Sequence, residues 1–334
     1  MRYYNIPIFV PHYGCPFDCV FCNQKHITGE KENVSAKRTK QIITEHLKTF
    51  TKVEKRVEAA FFGGSFTAIC PDLQEELLSA AYDFVIEGKI DGIRLSTRPD
   101  FINDEIMQRL MRYGVTAVEL GVQSMDNNVL RLSGRGHTDA DVVKAVELIK
   151  KYPVELGLQM MTGLPGDDGT QSILTAERII DLKPDCVRIY PTLVIRDTAL
   201  CRLYERGEYK PQTLEQAVSL AAVLLEKFRE NNISVIRVGL AATEEISPGG
   251  ALAAGPYHAA FGELAEGEIY YNKIRRLLKG AHFAEIGVNP CEISKAVGNA
   301  KRNIKRLAND GITVRFIQDG NVPKGGITLK SVEG

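Results

Sequence analysis

Residues 14–24 read GCPFDCVFCNQ and place Cys15, Cys19 and Cys22 on one short stretch near the start of the chain. Thiolates ligate soft transition metals, and three of them can hold three corners of a [4Fe–4S] cube while the fourth iron has no protein ligand. A cluster that only carries electrons normally takes four protein ligands, so an open iron is a place where a substrate or cofactor coordinates. Structural zinc is the alternative. It needs four nitrogen or sulfur ligands in a closed tetrahedron, and His12 or His26 would have to complete the set. Cys70, Cys186, Cys201 and Cys291 are widely separated, form no second set and carry no assigned role.

Something must hold that loop and whatever docks on it. Strand-like segments recur at 5–10, 57–62, 92–98, 117–123, 155–161, 186–192 and 234–240. Helix-period stretches such as 36–50, 73–88 and 213–231 lie between them. Strands alternating with amphipathic helices describe consecutive βαβ units and a parallel sheet. The class is therefore α/β, as an open doubly wound sheet or as a full or partial (β/α) barrel. In either arrangement ligands gather at the carboxyl ends of the strands. The cysteines follow the first strand, and GGSF, STRPD, GVQS, GLPGD and YPT stand at the ends of the next five. Gly63 and Gly64 would let backbone approach a ligand with no Cβ in the way. Glu119 and Gln123 are polar residues on an otherwise apolar strand, and alternation puts them on one face with Gly121 between.

Composition narrows the classes. The 334 residues are 44% hydrophobic and 25% charged, with 42 basic and 42 acidic side chains. That is globular composition without a global field toward nucleic acid or membrane. The N-terminal apolar run is too short for a signal peptide, and no stretch is long enough for a membrane span. These features predict a cytoplasmic protein with no membrane partner, in which cysteines serve as thiols or metal ligands. The texture changes near 245, which predicts a domain over 1–245 and a small α+β extension over 246–334.

Cys-x-x-x-Cys-x-x-Cys, with Phe21 before the last cysteine, resembles the signature of the radical S-adenosylmethionine (SAM) superfamily. The resemblance implies a partial (β/α) barrel and a [4Fe–4S] cluster on Cys15, Cys19 and Cys22. It implies SAM chelating the open iron through its methionine amino and carboxylate groups. It also implies reductive cleavage to a 5′-deoxyadenosyl radical that abstracts hydrogen, with a reductant protein such as flavodoxin or ferredoxin. By the same resemblance Gly63 and Gly64 offer backbone to the methionine amino group. Gln123 contacts SAM, as GVQS matches the GVQ strand of anaerobic coproporphyrinogen dehydrogenases. Arg135 meets the SAM carboxylate, Gln159 faces the ribose, and Ser96 stands in this set where some relatives carry Glu. His137 reads equally as a helix-cap neighbour of Thr138.

STRPD, VELGVQS, RGHT, MMTGLPGD and KPDCVRIYPTLVIRDTALCRLYERGEY together resemble the radical SAM domain of the Elongator catalytic subunit family, in the same order. In that family the domain works on tRNA wobble uridine with an acetyltransferase domain that handles acetyl-CoA. Here the first cysteine gap is shorter, and the length after 245 predicts a relative without the acetyltransferase. The resemblance implies tRNA or another RNA as substrate. The alternatives are a small metabolite or peptide substrate, or a non-catalytic RNA-binding protein with structural zinc. The tail supports RNA in one respect: Gly298 precedes a basic helix start with Lys301, Arg302, Lys305 and Arg306, then a strand-like ITVRFIQ. That order is similar to a KH module, whose GXXG loop clamps nucleic-acid backbone, with Lys301 in place of the second glycine. A capped helix with a solvated basic face is the other reading.

Overall fold

The structure is a computed structural model and describes residues 2–10, 15–23, 34–50, 55–240, 250–278 and 280–333. His12, His26 and the expected domain boundary at 245/246 lie outside these residues. Strand β1 (Arg2–Val10) is followed by α1 (Ala36–Thr49), β2 (Lys55–Gly63), α2 (Pro71–Ile86), β3 (Gly92–Thr97) and α3 (Asp104–Arg112). Then come β4 (Val115–Gln123), α4 (Asn127–Leu132), α5 (Asp139–Ile149), β5 (Glu155–Thr162), α6 (Thr170–Asp181) and β6 (Cys186–Pro191). A short β7 (Val194–Ile195), α7 (Ala199–Glu205), α8 (Leu214–Glu230) and β8 (Ser234–Val238) complete the repeating part. Capping residues start the helices where the sequence places them: Thr138 and Thr213 form capping boxes with Asp141 and Gln216, supplying partners to otherwise orphaned first-turn N–H groups.

Seven strands form one parallel sheet in the order β1-β2-β3-β4-β5-β6-β8. Strand order never reverses, so each right-handed crossover steps the same way and all crossover helices land on one face. A doubly wound sheet needs a reversal to cover its second face. The sheet instead curls into an open half-barrel, helices outside and a concave face inside.

Alternation divides the residues between the two faces. Ile6, Ile8, Ile93, Leu95, Val118, Leu120, Val122, Leu158 and Ile189 face the helices and are fully buried with Ile43, Leu77, Met107, Val142 and Phe228. At roughly 1.5–3 kcal/mol for each fully buried large aliphatic side chain, this outer layer supplies most of the folding drive. The concave face is free of that demand and carries Glu58, Arg94, Ser96, Glu119, Gly121, Gln159, Arg188 and Tyr190. Among the described residues no helix is long and apolar enough to cross a membrane.

After β8 the chain returns as β9 (Leu252–Ala254), which pairs antiparallel with β7, and enters α9 (Phe261–Leu277). The first half of α9 packs on α8 through Phe261, Leu264, Ala265 and Ile269. Its second half, through Tyr270, Tyr271 and Ile274, covers a smaller sheet. That sheet holds β10 (Phe283–Val288) between β11 (Thr313–Gln318), parallel to it, and β12 (Ile327–Glu333), antiparallel. Helices α10 (Ile293–Val297) and α11 (Arg302–Asn309) link β10 to β11. This is the small α+β appendage expected from the sequence.

Candidate active site

The cysteine loop sits at the carboxyl ends of β2 and β4. Cys15 Sγ is 3.5 Å from Ser65 Oγ, in the turn that follows β2. Cys19 Sγ accepts a bond from Arg135 Nη1 at 3.4 Å, and Cys22 N–H donates to Cys19 O at 3.0 Å. The loop is tied on two sides. Val20 N–H donates to Ser133 O at 3.1 Å, and Val20 O accepts from Leu200 N–H at 2.7 Å. Val20 and Phe21 pack against Val194, Leu200 and Cys201. The Phe17 ring lies 4.7 Å from the Arg98 guanidinium carbon and presses on Gly136, where φ is +76° and a Cβ would come within 2.5 Å of the ring. Only glycine fits there.

Among the described residues no three His, Cys, Asp or Glu side chains converge on a point where one ion could sit. The donor set itself, three half-buried cysteines on one anchored loop, has the softness that iron–sulfur chemistry requires.

Beside the cysteines stand the residues singled out in the sequence. Gly63 has φ +107°. Gly64 N–H is spent on Val10 O at 2.7 Å, so carbonyl oxygens are what this turn can offer an ammonium. On β4 a bulge between Gly121 and Gln123 breaks the alternation, and Gln123 takes φ +66°. Its side chain still reaches the site: Nε2 lies 3.0 Å from where a Cβ on Gly121 would stand. Arg135 Nη2 donates to Gly121 O at 2.6 Å. Gln123 Oε1 and Arg135 Nε are buried without hydrogen-bond partners. Unpaired buried polar atoms are costly and call for a ligand or ordered water. Here they flank Cys19, which fits a small zwitterion such as the methionine part of SAM.

Gln159 and Ser96 lie deeper. Gln159 Nε2 donates to Ser96 Oγ at 3.2 Å and to Glu119 Oε2 at 2.9 Å, so both amide hydrogens are used and Oε1 is left as the acceptor. Below them runs a charged belt. Arg188 grips Glu119 with two bonds of 2.6 and 2.9 Å. Arg94 reaches Glu58, Glu119 and Glu155 at 2.9, 3.2 and 2.9 Å. Burial pushes the Glu119 carboxyl up, but Arg188, Gln159 and Arg94 together hold it below the usual range. Burial pushes the Cys186 thiol up, and Glu155 and Glu119 add to this, so it is a core thiol and not a nucleophile.

His137 joins the same wall, its ring Nε2 3.2 Å from Val122 O. Burial, then the charges of Arg135 and Arg98, lower its pKa from 6.5 to about 4. The ring is therefore neutral in the folded state and donates from Nε2. An unfolded chain protonates this histidine below about pH 6.5 and the folded one only below about pH 4. Its contribution is intact above pH 6.5 and shrinks as pH falls toward 4, by on the order of 3 kcal/mol. Chemical denaturation at pH 7 and pH 4.5 should show the wild type losing more stability than His137→Gln, which keeps a donor but does not titrate. Equal losses would contradict the assignment.

Sequence reasoning missed Phe17, Ser65 and Ser133 as supports of the loop, and Arg98, Arg188, Tyr190 and Arg237 on or near the concave face. Ser65 was within reach, lying inside GGSF; the others carry no local signal.

Comparison with known proteins identifies the family. A family model for the radical SAM superfamily matches residues 9–177, and a model for the radical SAM C-terminal domain matches 184–271. Over 185 residues the chain is 31% identical to a Methanocaldococcus jannaschii protein named tRNA uridine(34) acetyltransferase, covering 49% of this chain and 34% of that one. It is 32% identical to Elongator complex protein 3 of Schizosaccharomyces pombe over 181 residues, 53% of this chain and 33% of that one. The chain thus spans about a third of each of these relatives. In three dimensions it is similar to the archaeal Methanocaldococcus infernus Elp3 lacking residues 1–46, with TM-score 0.64, 22% identity, and 81% and 67% of the two chains covered.

Proposed function

The chain belongs to the radical SAM superfamily, and from that premise we propose that it reductively cleaves SAM at a [4Fe–4S] cluster and acts on RNA, most naturally tRNA. Cys15, Cys19 and Cys22 would hold the cluster. When bound, cluster and SAM together supply a 5′-deoxyadenosyl radical for hydrogen abstraction, the cofactor carrying the hard chemistry. The chain's own residues bind and orient. Carbonyls of the Gly63–Gly64 turn would accept from the methionine ammonium, Arg135 would donate to the carboxylate from its unpaired Nε, and Gln123 Oε1 would take a further donor. Gln159, its amide fixed by Ser96 and Glu119, accepts from a ribose hydroxyl. One observation carries the reading: Arg135 touches Cys19 while its Nε and the Gln123 carbonyl beside it stay buried and unpaired. A flavodoxin or ferredoxin in a reducing, cytoplasmic setting would deliver the electron.

The RNA half of the proposal draws on the names of the two relatives and on the appendage. Between α10 and α11 the loop Gly298–Lys301 carries two successive left-handed residues, Ala300 and Lys301. Asn303 Nδ2 anchors it to Gly267 O and Ala296 O at 2.7 and 3.0 Å. Lys301, Arg302 and Lys305 have no carboxylate partner among the described residues, whereas Arg306 is used on Glu268 and on the Tyr271 ring. A KH-like clamp on phosphates would use this loop.

The test is 5′-deoxyadenosine formation by the reconstituted protein under dithionite, with and without total cellular tRNA. Deuterium transferred into deoxyadenosine from deuterated tRNA is the expected result. Stimulation by peptide or metabolite fractions and none by RNA would overturn the substrate while leaving the SAM chemistry standing.

A further inference from the structure

Charges on the strands of the concave face compensate one another with one exception among the described residues. Glu58, Glu119 and Glu155 are matched by Arg56, Arg94 and Arg188. Arg237 on β8 stands outside that set. It pairs in register with Arg188, which places it on the concave side, and it is half-buried. Its Nε donates to Gly239 O at 3.1 Å. Among the described residues no carboxylate pairs with it, and no acceptor takes its two terminal nitrogens. A guanidinium partly withdrawn from water without a counter-charge is unfavourable unless a ligand brings one.

A second, independent observation lies further along the neighbouring strand, four positions past Arg188. Strand alternation from Arg188 and Tyr190 carries Thr192, just past β6, onto the concave face. Thr192 is 1% exposed, and its hydroxyl has no hydrogen-bond partner. The Tyr190 phenol lies between, close enough to feel the charges of both Arg188 and Arg237. Arg237 stands at the edge of the sheet opposite β1, separated from β4 and the Arg135–Cys19 pair by β5 and β6. The cofactor groups are on one side of the concavity and this donor cluster is on the other.

We propose that Arg237, Tyr190 and Thr192 form an anion-binding site for a phosphate of a nucleotide substrate. A guanidinium fork matches two phosphate oxygens, and a buried hydroxyl can serve a third. The assignment of phosphate rests on the RNA reading above; the need for an anion rests on the geometry.

The experiment uses the full chain, cluster-loaded and with SAM present, titrated with the four ribonucleoside 5′-monophosphates and separately with the four nucleosides. At least one monophosphate should bind about tenfold or more tightly than its nucleoside, a difference of about 1.4 kcal/mol. Arg237→Gln should erase the preference, Arg237→Lys should keep part of it, and Thr192→Val should weaken it by less. No preference in the wild type, or an undiminished one in Arg237→Gln, overturns the site. Competition by acetate as strong as by inorganic phosphate at matched ionic strength overturns the phosphate assignment. SAM affinity read in the same wild-type sample separates the outcomes, because failure to bind SAM would sink the cofactor reading and not this one.

Discussion

Replacing Cys19 with alanine is expected to abolish cluster assembly and bring deoxyadenosine formation down to the level of cluster-free protein. Each of the three thiolates would serve a different iron, so removing one leaves an iron with no protein ligand and the cube with two anchors. The loop itself should survive the change. It is fastened through Val20 to Ser133 and Leu200, and through the packing of Val20 and Phe21, none of which involves the Cys19 thiol. What goes is the metal and, with it, the anionic sulfur that Arg135 faces. The measurements are iron and sulfide content after anaerobic reconstitution, absorbance near about 400 nm from iron–sulfur charge transfer, and chromatography of deoxyadenosine under dithionite. Cys70→Ala and Cys291→Ala, both at exposed thiols outside the loop, provide the comparison and should load normally. A Cys19→Ala protein that keeps its iron and still cleaves SAM would end the enzymatic reading, as would stoichiometric zinc and no iron in the wild type.

Glu119→Gln should be the most destabilising single change on the concave face. The carboxylate is fully buried and answers two guanidiniums, Arg188 through two bonds and Arg94 through one. Glutamine keeps the shape and removes the charge, leaving Arg188 buried with no carboxylate. Breaking one side of a buried ion pair costs about 3–5 kcal/mol, far more than an exposed pair contributes. Gln159 would also lose the acceptor that holds its amide in register with Ser96. Denaturant unfolding should therefore show a large drop in midpoint, and SAM affinity should weaken in the fraction that stays folded. The double variant Glu119→Leu with Arg188→Leu should recover much of the stability and none of the affinity. A loss below about 1 kcal/mol for Glu119→Gln would mean that water reaches the belt.

Much of this molecule is written in patterns of short reach. The cysteine spacing, the glycine pair after β2, the capping boxes and the alternation of seven strands each depend on residues within a few positions of one another. Their physical causes, ligand chemistry, backbone freedom and side-chain periodicity, are equally local. Hence strands read at 57–62, 155–161 and 186–192 appear as Lys55–Gly63, Glu155–Thr162 and Cys186–Pro191. Two elements escaped. The β7–β9 ribbon is built from strands of two and three residues, too short to show a period. β10, the centre of the small sheet, is a six-residue strand with a helix on either side of it in the chain.

By itself, then, the sequence determined the three-cysteine spacing on the first loop, the α/β class and the order of the strand ends. Only the tertiary structure decided what those ends bring together. Arg135 meets Cys19 across 116 positions of chain, Cys15 meets Ser65 across 50, and Arg188 finds Glu119 across 69. Such partners are chosen by sheet order, register and curvature, which depend on the whole chain closing at once and leave no trace in any short window. The bulge at Gly121–Gln123 and the lone Arg237 belong to that second kind: a strand pattern can say which face a residue prefers, but not which charge will be waiting there.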